Sequence, residues 1–190
     1  MLAYVFWHWK QAAVGREEYE RALSRFHTAL KDAPPPGFQR SWVWRVAEAP
    51  WIPGGGGGGG GGDAGYEDWY LVDGSAALDP LNDAAVTASR QNAHDQAARL
   101  VAGGTAGLYR LRAGEPLSDA ARGIWFPKPA GLSYAALWAA CGEMMEGRRF
   151  ALWGRQMVLG TAPEFCLHVH EPIALPGYAT TVVPLTRVWP

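Results

Sequence analysis

The chain has 190 residues, 17 Lys and Arg against 18 Asp and Glu, five His, two Cys and 48% apolar residues. A chain of that length suits one compact domain or two small ones fused, and it has no basic block of the kind that tracks a phosphate backbone, so nucleic acid is not expected as a partner. Two cysteines cannot build a disulfide framework, which points to a reducing cytoplasm. No run approaches the ~18 apolar residues of a membrane span, and the apolar opening Leu2–Trp9 lacks the basic segment of a secretion signal.

Leu2–Trp9 is dense in Tyr, Val, Phe and Trp on both faces and predicts a buried strand. A helix is predicted from Arg16 to Ala33. Tyr19, Leu23, Phe26 and Leu30 fall at helical spacing, acidic residues open it, and Pro34–Gly37 stops it. Phe38–Val46 alternates as a strand, with Phe38, Arg40, Trp42, Trp44 and Val46 on one face. Tyr66–Asp73 predicts another strand. Between these two lie nine consecutive glycines, Gly54–Gly62. No Lys-Ser/Thr pair follows them, so they read as a mobile surface insertion rather than a phosphate loop. Asp79-Pro80 resembles a helix start, the helix is predicted to run to Ala102 with Gly103-Gly104 as its stop, and Ala106–Arg112 is a strand.

The first 115 residues therefore read β-α-β-β-α-β, the order of a ferredoxin-like sandwich. Residues 116–190 repeat part of it. Gly123–Pro127 is a short strand, Ser133 caps a helix bearing Leu137, Trp138, Cys141 and Met145, and Ala151–Leu159, Phe165–His170 and Thr180–Val188 are strands. This segment is either a β-α-β-β extension or a degenerate second ferredoxin-like unit. The predicted fold class is α+β: an antiparallel sheet with helices on one face, as a single unit or a tandem repeat. The other sheet face carries large aromatics and needs cover, from a homodimer partner or from the chain's own second half as an internal pseudo-dimer.

With this element order, and with Tyr4-Val5-Phe6-Trp7-His8-Trp9, Ser41-Trp42-Val43-Trp44 and Tyr66-Glu67-Asp68-Trp69-Tyr70 leading to Leu78-Asp79-Pro80-Leu81-Asn82, the front ~115 residues resemble the dimeric α/β-barrel superfamily, which includes antibiotic-biosynthesis monooxygenases and muconolactone isomerases. The resemblance is architectural and transfers no catalytic motif. It implies two sheets from two subunits closing a barrel, with the ligand cavity between each sheet and its helices or inside the barrel.

Three clusters carry the chemistry. Trp7, Trp9, Trp42 and Trp44 could wall a cavity for a small hydrophobic or aromatic molecule, with His8 among them as acid or base and Arg40 as an anion contact; packing is the competing use of these rings. Asp68 shares a strand face with Tyr66 and Tyr70, which makes it a candidate base with a raised pKa if that face lines a cavity. Glu67 faces the other way and cannot pair with it. On Phe165–His170, Cys166, His168 and His170 share one face, and imidazoles at i and i+2 can converge on a transition metal; the competing reading is a polar outer face of an edge strand. No organic cofactor motif is present. The sequence leaves three functions open: a small-molecule enzyme or ligand-binding protein with a Trp-rich cavity and no organic cofactor, a metal-dependent enzyme at His168 and His170, or a non-catalytic protein using its aromatics for packing.

Overall fold

In a computed structural model, residues 1–47, 49–52 and 65–190 are described; the Gly54–Gly62 run lies outside them. The elements in chain order are β1 (Leu2–Lys10), α1 (Arg16–Asp32), β2 (Phe38–Val46), β3 (Gly65–Val72), α2 (Leu78–Ala85), α3 (Ala88–Ala98), β4 (Val101–Gly114), β5 (Arg122–Phe126), α4 (Tyr134–Met144), β6 (Phe150–Arg155), β7 (Phe165–Val169) and β8 (Thr181–Trp189). Among the described residues no helix is long and apolar enough to cross a membrane.

All strand pairs are antiparallel, and they form a closed barrel in the order β1-β3-β2-β8-β5-β7-β6-β4. A simple sheet with one helix-covered face is thereby corrected to a barrel. The first four strands run β4-β1-β3-β2 and the last four β8-β5-β7-β6, the same order displaced by one unit. Two seams join them: Val43–Val46 of β2 against Leu185–Trp189 of β8, and Tyr109–Gly114 of β4 against Ala151–Arg155 of β6. Closure removes the open edges through which a sheet would pair with another chain.

The barrel interior explains the tryptophan content. Side chains alternate between faces along each strand. Trp7, Trp42, Trp44, Trp69, Trp125 and Trp153 all point inward, fully buried in one cluster with Val5, Leu71 and Val183. Trp69 is central, its ring 5.0 Å from Trp153 and 6.2 Å from Trp44. The opposite faces take the helices: Leu2, Phe26, Leu30, Tyr70 and Val72 form one cluster under α1 and α2, and Ile124, Phe126, Phe165 and Leu167 form another under α4.

Two local expectations need correction. The helix predicted from Asp79 to Ala102 is two helices, separated at Val86-Thr87, where Thr87 adopts an extended conformation. Asp79 does not cap it; Ala77 occupies that place. Gly103 and Gly104 do not stop a helix but lie inside β4, because the rings of β1 cover them. A Cβ on Gly103 would sit 2.4 Å from the Trp9 ring, and one on Gly104 2.4 Å from the Phe6 ring. At α4 the expected cap is present: the Ser133 hydroxyl accepts the Ala136 N–H at 3.1 Å.

Candidate functional site

Between the front strands and helices α1–α3 lies a cavity of about 710 Å³. Its walls are largely apolar, from Phe6, Leu23, Phe26, Leu81, Val101 and Leu108, and its floor bears His8, Asp68 and Tyr70. This combination of apolar walls with a few convergent polar groups is what small-molecule sites require. No tryptophan lines it among the described residues.

The floor is a continuous polar network. His8 Nε2 lies 3.0 Å from Asp68 Oδ1, a buried ion-pair contact on the cavity floor. His27, from α1, donates through Nε2 to Asp68 Oδ2 at 3.2 Å, and the Tyr70 hydroxyl donates to the same oxygen at 3.0 Å. Each imidazole is anchored at its far nitrogen: His8 Nδ1 by the Tyr19 hydroxyl at 2.5 Å, His27 Nδ1 by the Ser41 hydroxyl at 2.8 Å. All six residues are buried. Burial alone would raise the Asp68 carboxyl, but the facing imidazoles of His8 and His27 outweigh it and hold the group below the usual carboxylate range. The expected raised pKa at Asp68 is therefore reversed. Burial and the Asp68 charge push the Tyr19 and Tyr70 phenols up, so both stay protonated.

The alternation of β1 separates residues that the sequence placed together. Trp7 and Trp9 face the barrel interior while His8 faces the helices, so His8 does not sit among the indoles. Trp42 and Trp44 pack in the barrel and wall no part of this cavity. Arg40 is exposed at the start of β2, where the register against β3 shifts between Phe38 and Arg40, and it does not reach the site. Arg45 instead donates to Glu20 at 2.8 Å and ties β2 to α1.

The face assignment on β7 holds, but the strand is not an edge. Phe165, Leu167 and Val169 pack under α4, and Cys166 and His168 point into the barrel. The His168 ring lies 4.6 Å from Trp69 and 4.9 Å from Trp44, and burial pushes its pKa down to about 3. His170 is half-buried at the strand end, 3.4 Å from Asp119. Cys166, His168 and His170 do not converge, and among the described residues no group of three or more His, Cys, Asp and Glu could hold a metal ion. The residues present do not fit the metal centre that their spacing suggested.

The barrel also contains a carboxyl. Glu67, neighbour of Asp68 but on the opposite face of β3, accepts the indole N–H groups of Trp7 at 2.8 Å and Trp69 at 2.5 Å. Burial pushes it up to about 7, against the lowering effect of the two indole donors.

Three residues that support the floor from behind, His27, Ser41 and Tyr19, were not read as functional from the sequence, while strand parity had already placed Tyr70 beside Asp68. His27 was accessible in principle, since it follows Tyr19 and Leu23 at helical spacing and so falls on the buried stripe of α1.

No protein-family model matches the sequence, and no curated protein shows significant similarity to it. Among solved structures, a monooxygenase candidate from Lactobacillus acidophilus NCFM superposes with a TM-score of 0.57 at 10% identity, over 98% of this chain and 94% of that one. The chain has the dimeric α/β-barrel fold. A chlorite dismutase candidate aligns at TM-score 0.48 and 10% identity over 98% and 95% of the two chains. An anthrone oxidase-like protein aligns at 0.43 and 9% over 88% and 70%. At 10% identity the first of these speaks for the α/β-barrel architecture and for no reaction.

Proposed function

We propose that this α/β barrel binds a small, largely apolar molecule between its front sheet and α1–α3 and exchanges a proton with it at His8 Nε2. The observation that carries the reading is the buried His8–Asp68 pair lining an otherwise apolar cavity. Once His8 Nε2 has released its proton, it takes one from an acidic O–H or activated C–H of the ligand. The imidazolium that forms faces the Asp68 carboxylate 3.0 Å away. His27, itself fixed by Ser41, and Tyr70 hold that carboxylate in place, so little reorganisation accompanies the transfer. The monooxygenase named above is compatible with such chemistry, since deprotonation is one route to an electron-rich substrate.

We also read the chain as an internal pseudo-dimer with one working site. Residues 116–190 act as a degenerate second unit that lacks the second helix. Its helix-facing strand residues, Ile124, Phe126, Phe165, Leu167 and Val169, are apolar and packed against Leu137 and Cys141 of α4. Where the front half has a charged floor, the back half has core.

A chromogenic phenol such as 4-nitrophenol tests the proton exchange, because its absorbance reports its ionisation. The wild-type chain should bind it and shift the bound absorbance toward phenolate, and His8→Gln should bind it with at least a tenfold smaller ionised fraction. Asp68→Asn should act in the same direction but cost about 3–5 kcal/mol of stability, since it breaks a buried ion pair. Equal spectra for wild type and His8→Gln would overturn the assignment.

A further inference from the structure

The cavity is not closed by the front half alone. Val158, from the connection between β6 and β7, contributes to its wall. The residues on either side, Met157 and Leu159, are 90% and 88% exposed. Three consecutive apolar residues at the rim of a cavity are costly to leave in water unless something covers them.

The segment is built to hold this position. Gln156 N–H donates to the Leu108 carbonyl of β4 at 2.8 Å, and Val158 N–H donates back to the Gln156 carbonyl at 2.7 Å. That i to i+2 bond makes a tight γ-turn with Met157 at φ 62°, a conformation that side-chain-bearing residues rarely adopt. Beyond the tip, the Arg155 guanidinium donates to the carbonyls of Gly160 at 3.2 Å and Ala162 at 2.9 Å, and the Tyr109 hydroxyl donates to the Pro163 carbonyl at 2.9 Å. The base of the turn is pinned on both sides while its apolar tip faces solvent at the cavity mouth.

The opposite rim is polar, with exposed Asp79 and Asn82 of α2. Polarity in the cavity comes from the His8–Asp68 floor, the α2 rim and His94 of α3 beside Phe26, while an apolar path past Val101 and Leu108 leads toward the Met157–Leu159 turn, Leu108 receiving the Gln156 N–H.

Resting on the proton-exchange reading above, we propose that Met157-Val158-Leu159 is a specificity-determining lip that receives the apolar tail of an amphipathic substrate, whose acidic head group sits on the floor. The ligand class is a phenol or enol bearing an extended hydrocarbon substituent. The back half thereby serves the front half's site: it supplies the tail contact rather than a second floor.

A series of 4-alkylphenols, from methyl to octyl, tests the lip by calorimetric affinity. Each methylene buried along the apolar path should tighten binding about fourfold in the wild-type chain. In a Met157→Ser, Leu159→Ser double variant the gain should stop at the chain length that reaches the rim. Its octyl member should bind at least tenfold more weakly than to wild type, and its methyl member within twofold. Circular dichroism and melting temperature check that the variant is folded. Identical chain-length series in variant and wild type overturn the lip. A uniform loss across the series overturns it too, because it marks a general change in the site. His8→Gln separates the two proposals: if the head-group reading is wrong it leaves the phenol's ionisation unchanged, while the chain-length break at the lip stands or falls independently. Failure of every member to bind the wild-type chain overturns both.

Discussion

Glu67 and Asp68 are adjacent carboxyls with opposite fates, decided by which face of one strand each occupies. Asp68 meets two imidazoles and stays charged; Glu67 meets indoles and is pushed up to about 7. A folded-state pKa above the unfolded value of about 4.5 means that the native chain holds the proton more tightly, so the associated stability is full below pH 4.5 and is lost as pH rises through 7. For this fully buried group the loss is on the order of 3 kcal/mol. His168 works in the other direction. Its depressed pKa of about 3 against an unfolded 6.5 costs stability as pH falls below 6.5. The two slopes oppose each other between pH 4.5 and 6.5, and only the Glu67 decline remains above it. We expect urea unfolding of Glu67→Gln to show no decline between pH 6.5 and 8 where the wild type shows one. Parallel profiles would mean that Glu67 does not titrate in this range. The sequence exposed His8 and Asp68 by residue type and strand parity, and it hid the sign of the Asp68 shift, because that sign comes from His8 and His27 converging on the carboxylate from β1 and α1.

At the scale of elements, strands with strict alternation or aromatic density were legible: β2 spans the residues predicted, β1 runs one residue further, and β3 and β8 are each displaced by one residue at both ends. The misreading at Gly103-Gly104 has a physical reason. Glycine at a helix stop and glycine under a cross-strand aromatic ring look alike in one dimension, and only the β1–β4 register, which sets His8 against Gly104 and Trp9 against Gly103, distinguishes them. The distinction is measurable. On Gly104 an added methyl would meet the Phe6 ring at 2.4 Å and the Trp7 carbonyl at 3.0 Å, while on Gly103 it would meet only the Trp9 ring. Phe6 also lines the cavity. We expect Gly104→Ala to cost about 1–3 kcal/mol by overpacking and to weaken phenol binding, with Gly103→Ala less harmful on both counts. Thermal melts and the 4-nitrophenol titration check the order; equal, negligible effects would contradict the close approach of these rings.

At the scale of the molecule, the question that sequence could not decide was what covers the inward face of the front sheet. Composition showed that the face is too aromatic to be left in water, and this holds equally for closure by a second copy or by the same chain. The choice is made by the seams β2–β8 and β4–β6, pairings across 37 residues or more that no local pattern announces. Here Trp125, Trp153, Cys166 and Val183 of the back half fill the space against Trp7, Trp42, Trp44 and Trp69 of the front. Among the described residues the barrel closes with no free strand edge and its aromatic inner face is covered, so its core asks for no other subunit. We expect multi-angle light scattering at micromolar concentration to give the mass of one chain, 20.6 kDa. The Met157–Leu159 tip is the apolar feature most able to draw two copies together, but three residues fall far short of the ~800 Å² per partner that a stable dimer buries. A dimer that persists on dilution and survives Met157→Ser, Leu159→Ser would require an interface elsewhere and would contradict closure within one chain as the reason the tryptophans are covered.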